Sequence, residues 1–265
     1  MTGLLQHRGP DAKGSWIEDN VALCHNRLSI LDLSEHGSQP MRASNDRYVI
    51  VFNGEVYNHL DLRNVLDIHQ SSINWRGHSD TETILEYINV FGIQKSLEDF
   101  TGMFAFALYD RKEKKLILAR DRFGEKPLYY GFIGNNFIFS SELKALKAFP
   151  GFDSRISNKG FEAYFRFGYV PAPYTIYDSV SKLNPASFIS LEYKNIKSRT
   201  VNENNYWSIS HIAQYGMSNQ IQDINEIRDE FSSLLKKSVK SQLISDVPIG
   251  SFLLSFTIEI SSPFR

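Results

Sequence analysis

The run Tyr48-Val49-Ile50-Val51-Phe52-Asn53-Gly54-Glu55-Val56-Tyr57-Asn58 decides how the chain is read. Its first five residues are apolar and β-favouring, and they predict a buried strand. The Asn-Gly pair that follows admits two readings. Asn53 and Gly54 both tolerate positive φ, so the pair is a hairpin-turn signal. Alternatively, a side-chain amide and an adjacent peptide N–H point at one place. That is the donor arrangement an acyl-transfer oxyanion needs.

Outward from this run the chain is mostly short strands. Val21-Ala22-Leu23-Cys24, Met103 to Tyr109 and Lys115 to Ala119 are apolar, and the polar Asp110 to Lys114 reads as a hairpin loop between the last two. Leu128 to Ile133 and Asn136 to Ser140 flank Gly134-Asn135, a turn pair. Helical spacing appears at Thr81 to Phe91, with Ile84, Leu85, Ile88 and Phe91 on one face. Ser79 and Glu82 have capping-box spacing, which sets the start of that helix. Glu142 to Phe149 and Ser157 to Phe167 are further helices. Hairpin-connected strands with flanking helices predict an α+β fold with antiparallel sheets. Residues 194–222 are rich in Asn, Ser and Gln and read as a linker. Ile224 to Leu243 has helical spacing through Ile227, Phe231, Leu234, Leu235 and Val239. Asp246 to Ser255 reads as a helix followed by a buried strand. A helix and one strand bury no core alone, so residues 223–265 are expected to begin a second domain, truncated, after a first domain at 1–193.

At 265 residues and about 150 per domain, one to two domains are expected. Lys plus Arg is 29 and Asp plus Glu is 30, a balance that argues against nucleic acid and an anionic membrane as partners. The 35 aromatic residues exclude a disordered chain. Cys24 is the single cysteine, which rules out an intrachain disulfide and a Cys-based zinc site. The histidines show no metal-ligand spacing. No apolar run approaches the roughly 18 residues of a membrane span, and no secretion signal opens the chain. A cytoplasmic protein is expected.

Individual candidates carry a structural and a functional reading. Arg27 is a surface charge worth little, or a fork of donors for a carboxylate. Asp80 is a favourable acid in a first helical turn, or an acceptor for an ammonium. Cys24 stands beside His25, but neighbours on a strand face opposite ways, so His25 is poorly placed as its base. A buried, inert cysteine is expected.

Seven strings in order shift the balance. They are His7-Arg8-Gly9-Pro10-Asp11, Arg27-Leu28-Ser29-Ile30, Phe52 to Asn58, Ser79-Asp80-Thr81-Glu82, Gly102 to Ala107, Arg120 to Tyr130, and Ser141-Glu142. Together they resemble the glutamine-hydrolysing asparagine synthetase family, whose N-terminal half is a class II glutamine amidotransferase. The resemblance reaches to about Leu254. It implies a four-layer α/β/β/α sandwich of the N-terminal-nucleophile hydrolase type, followed by the start of an α/β ATP-pyrophosphatase domain. It implies hydrolysis of L-glutamine, with ammonia passed to an aspartate activated by ATP and Mg2+. By position, Arg27 and the Leu28, Ser29, Ile30 and Leu31 backbone would hold the glutamine α-carboxylate. Asn53 and Gly54 would form the oxyanion hole, and Glu55 and Asp80 would hold the α-ammonium. A homodimer is an expectation of the same kind.

Two departures bear on activity. The family nucleophile is an N-terminal cysteine on a strand upstream of the Arg-Gly-Pro-Asp string, and here only seven residues precede Arg8. Thr2 is a valid nucleophile type, but its reach to Asn53 is poor. At the other end, Ser245 to Leu253 matches the approach to a Ser-Gly-Gly-x-Asp-Ser phosphate loop, with Leu254 at its ATP-contacting edge. The chain then reads Ser255-Phe256-Thr257, with no following glycine. The change suggests a frameshifted or truncated frame. The chain is therefore expected to be inactive and to bind neither ATP nor Mg2+ well. Two alternatives stand beside this reading: a non-catalytic glutamine-binding or interaction module, and another class II amidotransferase.

Overall fold

The computed structural model describes residues 1–69 and 73–250. A 3-10 helix at Thr2–Arg8 leads into the hairpin of β1 (Ala12–Glu18) and β2 (Val21–Arg27). Then come β3 (Met41–Arg42), β4 (Tyr48–Val56), α1 (His59–His69), α2 (Asp80–Phe91) and α3 (Ile93–Asp99). The middle of the chain forms β5 (Gly102–Asp110), β6 (Lys115–Arg120), β7 (Tyr129–Ile133), β8 (Asn136–Ser140), α4 (Leu143–Lys147) and α5 (Asn158–Phe167). The remainder forms β9 (Val180–Lys182), β10 (Ser187–Glu192), α6 (Tyr193–Ser198), β11 (Glu203–Asn205), α7 (Ile209–Ser218) and α8 (Ile224–Ser241).

The main sheet has the order β11-β10-β6-β5-β4-β3, and all its pairs are antiparallel. Its central strands are apolar on both faces because both faces are covered. Ile50 and Phe52 of β4 and Phe104, Phe106 and Leu108 of β5 pack with Leu62, Leu66, Ile84, Leu85, Ile88 and Leu97 of α1 to α3. The alternate residues, Val49, Val51, Ala105, Ala107 and Tyr109, turn the other way. They meet Trp16 and Leu23 of the β1–β2 hairpin and Leu128, Tyr130 and Leu183 around β7 and β9. This division by odd and even positions follows from the period of two in a strand. The second sheet layer comes in two pieces, β1–β2 and β8-β7-β9. Ile133, Ile138 and Val180 of the latter bury their outer face against Leu146 and Leu143 of α4. The layers run helix, sheet, sheet, helix, which is the predicted α/β/β/α sandwich within an α+β class.

Local signals behave as the sequence predicts at α2 and α5. The Ser79 hydroxyl accepts the Glu82 N–H at 3.2 Å, and the Ser157 hydroxyl accepts the Gly160 N–H at 3.3 Å. Only half of the capping box forms at α2. The Glu82 carboxylate turns instead to the backbone N–H groups of Arg76 and Gly77, each at 3.0 Å.

Four expectations need correction. Asn53 and Gly54 form no turn. They lie inside β4, opposite Ala105 and Phe104 of β5. Gly54 has φ 142°, and a Cβ there would collide with the Met103 carbonyl oxygen, so glycine is required by backbone and neighbour together. Residues 194–222 are no bare linker: they hold α6, β11 and α7. β11 is the edge strand of the main sheet, and Tyr206 behind it is buried and donates its hydroxyl to the Arg120 carbonyl at 2.8 Å. Polar composition misleads here because an edge strand needs few apolar side chains. Residues 246–250 form no helix, and the strand expected beyond them lies outside the described residues. Cys24 is exposed rather than buried, with its thiol pushed up by partial desolvation. α8 forms as predicted, yet Ile227, Phe231, Leu234, Leu235 and Val239 are exposed on it.

Candidate functional site

A cavity of about 220 Å³ opens between the end of β2, the middle of β4 and the start of α2. Its lining includes Arg27, Leu28, Ile30, Leu31, Asn53, Gly54, Glu55 and Asp80, so eight of the nine described candidates share one hollow. Ser29 does not line it; its N–H donates to the Asp11 carboxylate at 2.8 Å. Leu254, the ATP-edge candidate, lies outside the described residues.

The positions follow from local structure. Arg27 ends β2 and is buried. Its guanidinium donates to the carbonyls of Ser34 (2.8 Å), Leu31 (3.5 Å) and Asp32. Among the described residues no carboxylate forms an ion pair with it. A buried cation held only by carbonyls remains short of a counter-charge, and an anion is its natural complement.

The opposite wall has the reverse shortage. Asp80 is the first residue of α2 and is buried. It accepts the Val56 N–H at 3.0 Å and forms no ion pair among the described residues. Burial pushes its carboxyl up to about 6, against the hydrogen bonds from Val56 and Thr81. Glu55 is also raised, by burial first and then by the Asp80 charge, with Lys126 opposing. Two acids without an ion-pair partner among the described residues thus share one small hollow with a cation that also lacks one.

Between these walls stands Asn53. Its Nδ2 is buried and finds no acceptor among the described residues. An unpaired buried donor is costly, and Asn53 belongs to the cavity lining, so a ligand oxygen is an acceptor that would satisfy it.

Sequence reasoning missed several lining residues. His25 shares the face of β2 that carries Arg27, two positions on. Its Nε2 sits 3.1 Å from the Phe52 carbonyl; a carbonyl only accepts, so Nε2 carries the proton and Nδ1 is a bare acceptor. That Nδ1 is buried without a partner among the described residues. Burial drives the imidazole down to about 4, against the Phe52 hydrogen bond and with help from Arg27, so it is neutral at pH 7. Gln39 accepts the Phe52 N–H at 2.6 Å and donates to the Thr81 hydroxyl at 3.3 Å, which ties β4 to α2. Arg8 also lines the hollow and pairs with Glu142 at 3.1 Å. Burial opposes ionisation of Glu142, but hydrogen bonds from Lys144, Arg8 and His7 outweigh it and hold the carboxyl down to about 2.

The Arg120 to Tyr130 string acts one step behind the cavity. Asp121 is fully buried and accepts the N–H groups of Phe104, Phe123, Glu125 and Lys126 at 2.9–3.2 Å. Arg120 donates to the Lys126 and Leu183 carbonyls at 2.8 and 2.6 Å. This pair folds the loop that delivers Lys126 to the cavity wall. Among the described residues no group of three or more His, Cys, Asp or Glu is arranged to hold a metal ion, and no helix is long and apolar enough to cross a membrane.

Comparison with known proteins agrees with this geometry. A family model described as a glutamine amidotransferase domain matches residues 1–207. A Methanocaldococcus jannaschii protein, provisionally named a glutamine-hydrolyzing asparagine synthetase, is 34% identical over 96% of this chain and 50% of its own length. A Bacillus subtilis asparagine synthetase (glutamine-hydrolyzing) is 34% identical over 96% of this chain and 39% of its own. The chain thus spans half or less of the length of these relatives. Among solved structures, a Bacillus subtilis glutamine phosphoribosylpyrophosphate amidotransferase aligns with a TM-score of 0.50 and 18% identity over 72% of this chain and 36% of that one, a likeness of fold. A model match over most of the chain and relatives above 30% identity, on a sandwich that gathers the expected side chains, place the chain in the class II glutamine amidotransferase family, among relatives that carry the name asparagine synthetase.

Proposed function

We propose that the cavity binds free L-glutamine and that the chain is the glutamine-handling half of an asparagine synthetase. The observation that carries this is the separation of unpaired charge. A zwitterionic α-amino acid supplies the carboxylate that Arg27 lacks and the ammonium that Glu55 and Asp80 lack. In that pose the side-chain amide reaches toward Asn53 and Gly54. The Asn53 Nδ2, together with the Gly54 N–H, then meets the carbonyl oxygen where negative charge develops during acyl transfer. The neutral His25 adds an acceptor for an N–H of the ligand.

Attack on the amide carbon requires a nucleophile, and no cysteine stands among the described residues that line the cavity. Binding of the ligand is the step this proposal assigns to the described lining residues. We assign ammonia transfer, and ATP and Mg2+ with an aspartate acceptor, to the part of the relatives' length that this chain does not span. Residues 251–265 contain no glycine to cradle a phosphate, so they do not fit ATP. In this proposal residues 1–207 form the amidotransferase domain and α8 begins the next.

Titration calorimetry with L-glutamine tests the reading. Saturable heat with L-glutamine, absent with D-glutamine and weakened about 10- to 100-fold in Arg27→Gln, is expected from the loss of a charge-assisted pair. No heat with the wild-type chain removes the proposal. Ammonia release in the same samples separates hydrolysis from binding alone.

A further inference from the structure

The segment after α8 reaches back to the loop beside the cavity through Asp246. Asp246 donates its backbone N–H to the Ile30 carbonyl at 3.0 Å. Its Oδ2 accepts the Asp32 N–H at 2.7 Å and the His78 Nε2 at 2.8 Å. The link spans 214 positions of sequence. Asp32 completes the knot, because its buried carboxylate accepts the His78 N–H at 3.0 Å and the Ser34 N–H at 3.2 Å.

The groups that meet Asp246 stand next to two parts of the cavity lining, Ile30 and Leu31 on one side and Ser79 and Asp80 on the other. Ile30 and Asp32 lie in the loop whose carbonyls at Leu31, Asp32 and Ser34 cradle Arg27. His78 immediately precedes Ser79, which caps α2, and Asp80, the buried acid. The His78–Asp246 contact is partly exposed, and as an ion pair it is worth little. The two backbone links are different in kind. They hold the loop in one place whether or not His78 carries a charge.

We propose that Asp246 is a positioning residue for the cavity: it fixes the Leu28 to Ser34 loop against His78 and so sets the spacing between Arg27 and Asp80. Occupancy of the cavity and placement of the segment around Asp246 are then coupled. By reciprocity, a ligand that tightens the two walls also holds the chain beyond α8, and the reverse. The functional consequence rests on the glutamine reading of the cavity.

Hydrogen–deuterium exchange on the full chain tests the positioning role without any ligand. Asp246→Ala is expected to speed amide exchange about 10-fold across residues 28–34, while β5 exchanges as in the wild type, since local opening is independent of the core. Asp246→Asn keeps an acceptor for the Asp32 N–H and is expected to fall between. Calorimetry with L-glutamine on the same proteins is expected to show a Kd about 3- to 10-fold higher in Asp246→Ala, in the range of changes made along a coupling network. Unchanged exchange over 28–34 overturns the proposal. So does a loosened loop with an unchanged glutamine Kd. A loosened loop in a protein whose wild type gives no glutamine heat supports the positioning and overturns the glutamine reading instead.

Discussion

Replacing Asp80 by Asn is expected to stabilise the fold and to weaken the site. Asp80 is buried at the start of α2 with no cation beside it, and its carboxyl is pushed from an ordinary 3.8 up to about 6. The unfolded chain ionises this group at its ordinary value. Between those two values the folded state binds the extra proton, so the wild type loses stability from this group as pH rises. By this linkage the cost is about 1 kcal/mol at pH 4.5 and about 3 kcal/mol at pH 7.5. Asn does not titrate, and its amide oxygen can still accept the Val56 N–H that Asp80 now holds at 3.0 Å. Urea unfolding of both proteins at pH 4.5 and 7.5 should show the variant gaining on the wild type by about 2 kcal/mol over that interval. Its affinity for L-glutamine at pH 7.5 should fall, because the ammonium loses a charged acceptor. A stability gap that stays flat or narrows as pH rises would refute the picture of an unpaired acid kept for a ligand.

Gly54→Ala should destabilise by about 3 kcal/mol or more, because the added methyl meets the Met103 carbonyl on a backbone at φ 142°; a denaturant midpoint close to wild type would contradict this. Asn53→Ala should leave stability within about 1 kcal/mol of wild type, since the Nδ2 removed has no acceptor among the described residues. Any ammonia release from glutamine should fall by about 100-fold in that variant. Tyr206→Ala should cost about 3–4 kcal/mol in thermal or urea unfolding, through a buried ring and its bond to the Arg120 carbonyl; a neutral result would return residues 203–207 to the status of a linker.

The hairpins were legible because their signals are local. Apolar runs of strand length around Asp110 to Lys114 and around Gly134-Asn135 give β5–β6 and β7–β8, and Ser79 with Glu82 places the start of α2. The Asn53-Gly54 pair was ambiguous for a physical reason. The same tolerance of positive φ serves a turn and a strand whose neighbour leaves no room for a Cβ, and only pairing with β5 separates the two. Strand alternation correctly turned Cys24 and His25 to opposite faces, but it could not say which face was wet.

The sequence by itself determined the element types, the antiparallel class and, through seven ordered strings, the family and eight of the residues that line the hollow. Tertiary structure decided which charges go unpaired. Arg27 lacks a carboxylate, and Asp80 lacks a cation, only because of what β4, α2 and the loop after β2 bring within a few ångströms. The same holds for His25 with its bare Nδ1, for the burial of Tyr206 behind an edge strand, and for Asp246 reaching Asp32. Such pairings depend on distances between segments far apart in the chain, and local periodicity carries no record of them.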